Sequence, residues 1–156
     1  MSGIYTVSFT GVAVTAQQDL IALVAHATKQ CVLLGFGISQ STEVGDTAEE
    51  GLSILIKSGA TAAGSGGSGA FTPIPNDFSA GAAGSTARLN DTTIANTGTI
   101  ITHYPYNWNV RVGMDIILPE QMQVVFGAGR RLVIGLATTP ADSITMSGYA
   151  VVQEIG

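Results

Sequence analysis

Apolar residues alternate with hydroxyl-bearing and small residues along most of the chain, in short runs separated by turn residues. A period of two puts successive side chains on opposite faces of an extended strand. Tyr5-Thr6-Val7-Ser8-Phe9-Thr10 is the first such run, and its phase flips after Gly11 so that Val12 and Val14 continue the pattern. A flip at glycine predicts a β-bulge. Residues 18–26 carry two readings: Thr15 and Gln18 fit a capping box ahead of a helix bearing Leu20, Leu23 and Val24, whereas the β-patterned neighbours favour a strand. The strand is preferred. Val32, Leu34, Phe36 and Ile38 then share one face, with Gly35, Gly37 and Ser39 on the other, and Leu52, Ile54 and Ile56 repeat the pattern. Ile100, Thr102 and Tyr104 line up, and Trp108, Val110 and Val112 alternate with Asn107, Asn109 and Arg111, giving a dry face and a wet one. Further runs cover 115–118, 122–126, 132–137 and 143–154, the last broken near Gly148. About eight to ten short strands at this spacing predict an all-β fold, an antiparallel β-sandwich of jelly-roll or barrel type. No repeat of about 20 to 50 residues suggests a solenoid or propeller.

One tract breaks the pattern. Residues 59–87 are rich in Gly, Ala, Ser and Thr, with Asp77 as the sole charge. Connections within a domain usually span about 4 to 6 residues. The tract is therefore read as a structureless extended arm, with Phe71, Ile74 and Phe78 around Thr72-Pro73-Ile74-Pro75 as apolar anchors. Ordering backbone costs about 1 to 2 kcal/mol per residue, and burying three such side chains returns about 5 to 8 kcal/mol. The arm is expected to be mobile in the free protein and ordered locally against another subunit, with Gly64–Gly69 left loose.

Length and charge narrow the class. A chain of 156 residues suits a single domain spanning 1–156. Charged residues make up 11%, against about 25% in typical soluble proteins. So few charges favour a chain that hides surface in a closed homo-oligomer, with a trimer expected. The formal net charge of -5 and the lack of any basic cluster beyond Arg130-Arg131 argue against nucleic acid. That arginine pair follows a glycine turn, as a solvated corner or as a grip on an acidic partner. The amino terminus lacks the features of a secretory signal and no window reaches about 18 apolar residues, so no membrane span is expected and synthesis is placed in a cytoplasm. Cys31 is the lone cysteine, which excludes an intrachain disulfide, and its neighbours Val32, Leu33 and Leu34 predict a buried, inert thiol.

Candidate chemistry is sparse. Gly64-Ser65-Gly66-Gly67-Ser68-Gly69 fits the dinucleotide fingerprint only as letters, because neither the preceding strand nor the following helix is present. Glu43, Asp46, Glu49 and Glu50 lack EF-hand spacing and read as a solvated acidic turn. His26 and His103 stand far apart, without ligand partners at regular spacing, and read as strand-end or rim residues. No G-x-S-x-G elbow occurs. Asn90-Asp91-Thr92 matches a glycosylation acceptor, which has no consequence without a secretory route. Trp108 is expected in the core. No enzymatic activity, cofactor or metal is expected.

The stretch from Gly11 to Asp46, with Asp19-Leu20-Ile21-Ala22-Leu23-Val24-Ala25, Leu33-Leu34-Gly35-Phe36 and Gln40-Ser41-Thr42-Glu43-Val44-Gly45-Asp46, resembles small β-proteins of tailed-bacteriophage structural modules. So does the carboxyl-terminal part, through Trp108-Asn109-Val110-Arg111, Leu118-Pro119-Glu120, Gly127-Ala128-Gly129-Arg130-Arg131-Leu132 and Ser147-Gly148-Tyr149-Ala150-Val151-Val152-Gln153-Glu154. The resemblance implies a capsid decoration or cement (head auxiliary) protein, commonly a trimer seated on a lattice of major capsid protein at the virion surface. Phe71, Ile74, Phe78, Arg130 and Arg131 are then the candidate partner-binding residues. A tail or fibre component is the alternative. A small carbohydrate-binding module comes third, since Trp108, Tyr104 and Tyr106 cluster too closely for an extended stacking platform.

Overall fold

In the computed structural model, which describes residues 3–45 and 49–156, the alternating runs become twelve antiparallel strands. They are β1 (Gly3–Val14), β2 (Gln18–Val24), β3 (Gln30–Gln40), β4 (Gly51–Ala60), β5 (Ser68–Phe71), β6 (Ile74–Pro75), β7 (Thr86–Asp91), β8 (Gly98–Asn109), β9 (Met114–Ile117), β10 (Val124–Phe126), β11 (Arg131–Leu136) and β12 (Ile144–Ile155). Helical structure among the described residues is limited to two short 3-10 turns, Glu43–Gly45 and Glu120–Met122. No helix among these residues is long and apolar enough to cross a membrane.

Two sheets pack face to face. The first has the order β10-β3-β12-β1-β6, with β9 also paired to β3; the second runs β5-β7-β2-β11-β4-β8. Following the chain through β1, β2, β3, β4, β8, β9/β10, β11 and β12, it alternates between the sheets except at the β4–β8 step. That winding is the jelly roll. Strands β5, β6 and β7 are an insertion between β4 and β8.

Side-chain alternation explains the core. β12 buries every second residue from Ile144 to Glu154 without interruption. The break expected near Gly148 is absent: that position stays in the strand, paired with Phe9 and Ile38, and since a Cβ there would meet the Phe9 ring at 2.8 Å, glycine admits the ring. At Gly11 (φ 64) the β1–β12 register shifts between Phe9 and Val12, which is the expected bulge, and the Gly11 amide donates to Ser147 Oγ at 3.0 Å. The preferred strand reading of residues 18–26 holds over β2.

One face assignment is corrected. β3 carries a second irregularity opposite Val151 and Val152, which pair with Gly35 and Leu33. Leu34 is the extra residue, so the phase flips there. Cys31, Leu33, Phe36 and Ile38 enter the core, while Val32 and Leu34 turn to the other face. The sequence hid this because apolar residues occupy both phases before the bulge. Phe36 packs edge-on against Tyr106, with ring centroids 5.6 Å apart, and Trp108 is buried as expected. Burial also pushes the Cys31 thiol above its ordinary range, in keeping with an inert role.

Candidate partner-binding site

The tract 59–87 is not structureless, contrary to its glycine-rich composition. Leaving β4 after Ala60, the chain returns as β5 along the outer edge of the second sheet, pairing Phe71 with Ala87. It then crosses through buried Pro73 and adds β6 to the outer edge of the first sheet, where Ile74 and Pro75 pair with Thr6 and Tyr5. A proline costs no ladder bond at such an edge. The Asn76 amide donates to the Ile4 carbonyl at 2.9 Å, and Thr6 Oγ1 donates to Asn76 Oδ1 at 2.7 Å. Further on, the Tyr5 hydroxyl donates to the Gly81 carbonyl at 3.3 Å, and the Gly84 and Ser85 amides donate to Glu154 Oε1 at 2.9 and 2.7 Å. The tract is thus a strap joining the edges of both sheets on one side of the sandwich. The surface that orders it is the protein's own, because backbone pairing at two sheet edges adds to what three apolar anchors supply.

The three expected anchors sit on this strap and stay outside the core: Phe71 is 42% exposed, Ile74 64% and Phe78 94%. Phe78 projects from a turn in which the Ala80 amide donates to the Asp77 carbonyl at 2.9 Å. Asp77 Oδ1 accepts from the Ser79 amide at 2.9 Å and from Ser79 Oγ at 2.7 Å, the local bonding that makes aspartate a turn former. The same bonds, that from the hydroxyl foremost, hold the Asp77 carboxyl below the usual carboxylate range. An aromatic ring on a turn already fixed loses little freedom when it docks.

Arg130 and Arg131 lie elsewhere. The Arg130 amide donates to the Gly127 carbonyl at 2.9 Å and the Gly129 amide (φ 67) to the His26 carbonyl at 3.0 Å, closing the turn between β10 and β11. Arg130 is exposed and Arg131 half-buried. Both line a cleft of about 260 Å³ with Gly59, Val125 and Phe126, between β10 of one sheet and β4 and β11 of the other. The five candidate residues therefore form two groups, one on the strap and one at the β10–β11 turn.

Three buried acids escaped the sequence reading. Asp19 and Asp91 face each other across β2 and β7, both fully buried on the outer side of the second sheet. Asp19 Oδ1 lies 3.3 Å from Lys57 Nζ, and Oδ2 accepts from the Ala95 amide at 2.7 Å. Burial raises the Asp19 carboxyl, with the Ala95 amide and Lys57 pulling the other way. Arg88 grips both Asp91 oxygens at 2.8 Å, and the Gly67 amide adds a bond to Oδ1 at 3.2 Å. Asp19 and Glu154 tie the insertion to the sandwich, and Asp91 ties it internally through Arg88 and Gly67. A charge in phase with an apolar run, in a chain with so few charges, was the available signal.

Of the expected acidic turn, Glu43 and Glu50 converge with Asp142, their carboxylate oxygens within 4.8 Å of one another, while Asp46 lies outside the described residues. Glu43 is buried rather than solvated. Thr42 Oγ1 donates to Glu43 Oε1 at 3.2 Å, and the Ala141 amide donates to Glu50 Oε1 at 2.6 Å, so these carboxylates also serve to tie loops. His26 Nδ1 accepts from the Thr28 amide at 3.0 Å, and His103 Nε2 lies 2.7 Å from Ser58 Oγ. Neither joins a group of metal-ligating side chains among the described residues.

The sequence matches no protein-family model and no curated protein. Among solved structures the chain is similar to VP17, a capsid protein of bacteriophage P23-77, at 10% identity and a TM-score of 0.24, over 100% of this chain and 98% of that one. So low a score fixes no topology; the jelly-roll assignment rests on the strand order.

Proposed function

We propose that this chain is a virion structural protein of the capsid-decoration kind, which associates with copies of itself and seats on a lattice of major capsid protein. The observation that carries the reading is Phe78, 94% exposed on a hydrogen-bonded turn. Large aromatics fixed in this way are the usual anchors of protein interfaces. The strap supports the same role by closing one side of the sandwich, so that Phe78 stands on a braced edge and not on a free tail. The jelly roll recurs in viral capsid domains, an analogy at the level of fold. No reaction is needed for this work, and no cofactor or metal is assigned. A trimer is the assembly favoured.

The test is to purify particles of the virus that encodes the chain and to ask by mass spectrometry whether it is present in many copies. Rebinding of purified wild-type and Phe78→Ala chains to stripped particles follows. Wild-type rebinding that the substitution weakens is the expected result. Absence from particles, with no rebinding, overturns the proposal.

A further inference from the structure

The two candidate groups border different edges of the first sheet. The Phe78 turn follows β6, outermost on one side of the order β10-β3-β12-β1-β6, and the arginine cleft borders β10 on the other. Four strand steps of about 4.8 Å separate those edges, roughly 19 Å. The cleft of one molecule is not lined by its own Phe78, and a second copy set beside it can supply one.

We propose that the Phe78 turn of one copy docks in the Arg130/Arg131 cleft of a second copy of this chain, a head-to-tail contact that rests on the structural role above. Size permits it, since a cavity of about 150 Å³ admits benzene and the cleft measures about 260 Å³. Chemistry favours it. Val125, 57% exposed, offers apolar surface at the cleft, and a guanidinium stacks well on an aromatic face. The residue beside Phe78 is Asp77, whose Oδ1 is occupied by Ser79 and whose Oδ2 has no partner among the described residues. A planar guanidinium is suited to that oxygen.

Charge selects the cleft over the rest of the surface. With a net charge of -5, two copies repel over most faces. Of the six cations, Lys57 and Arg88 are committed to Asp19 and Asp91 and Lys29 and Arg111 each stand singly in the sequence, whereas Arg130 and Arg131 are an adjacent pair with no ion pair among the described residues. An acidic turn and an adjacent pair of uncommitted cations are thus complementary. Because knob and socket are different patches, the contact is heterologous and closes into a ring when the rotation between copies allows. A two-fold dimer would need one patch that fits itself. The favoured trimer needs two that fit each other.

The experiment mixes two variants, each defective on one side: Phe78→Ala with Asp77→Ala, lacking the knob, and Arg130→Glu with Arg131→Glu, lacking the socket. Arg130→Glu alone replaces the second if the double substitution lowers the folded fraction. Sedimentation and native mass measurement should give oligomers for wild type and monomers for each variant, with association weakened roughly thirtyfold or more, as at an interface hot spot. The equimolar mixture should give pairs that stop at two, one knob in one socket. Oligomers that persist in both variants, or a mixture that stays monomeric, overturn this contact while leaving the virion role intact. Wild type that remains monomeric at micromolar concentration also overturns it, and particle rebinding then judges the virion role separately.

Discussion

Glu154, near the end of β12 in the first sheet, accepts the Ser85 amide at 2.7 Å and so fixes the strap one residue before it enters β7 of the second. The carboxylate is 3% exposed, and its Oε1 also takes the Gly84 amide. Glu154→Ala leaves two donors without their acceptor and should cost about 1 to 3 kcal/mol. Glu154→Gln keeps an oxygen in place and should recover part of the loss. Denaturant unfolding measures both, and hydrogen exchange at Gly84 and Ser85 should quicken first.

Phe36 and Phe78 are to behave oppositely. Phe36 is fully buried against Tyr106, and Phe36→Ala should destabilise by about 3 to 5 kcal/mol. Phe78→Ala should change stability by no more than about 0.5 kcal/mol, as at exposed positions generally. Equal losses in thermal unfolding would move Phe78 into the protein's own core and remove it as an anchor.

Acid should affect Asp19 in a direction set by burial. Its folded-state carboxyl is raised above the ordinary 3.8, so the native state holds the proton more tightly than the unfolded chain. The ionised group therefore subtracts stability above its folded value, and the penalty fades as pH falls through that value toward 3.8. Relative to Asp19→Asn, wild type should gain stability on acidification. Unfolding curves of both proteins from neutral to acid pH check the sign.

Gly59 and Gly98 meet where β4 and β8 part, with φ of 95 and 103. A Cβ on Gly59 would collide with the Thr99 carbonyl, and one on Gly98 would lie 2.6 Å from the Gly59 carbonyl. Gly59→Ala should cost more than about 1 kcal/mol, since both space and backbone conformation oppose it. Chemical denaturation measures the loss.

Period two was enough to reveal an all-β sandwich, because alternate residues of an antiparallel strand face core and solvent whatever their partners. It located the Gly11 bulge, the β2 strand and buried Trp108, since each has a local cause. The Leu34 bulge was hidden because Val32, Leu33 and Leu34 are apolar in either phase. The strap was hidden for another reason: β5 and β6 exist only because free edges of β7 and β1 lie within reach, and pairing satisfies backbone groups that composition alone leaves to water. Phe71, Ile74, Phe78, Arg130 and Arg131 were legible as residue types. That the first three lie on an edge strap and the arginines line a cleft between the sheets was decided by strand order, since residues far apart in sequence become neighbours only after the sheets close.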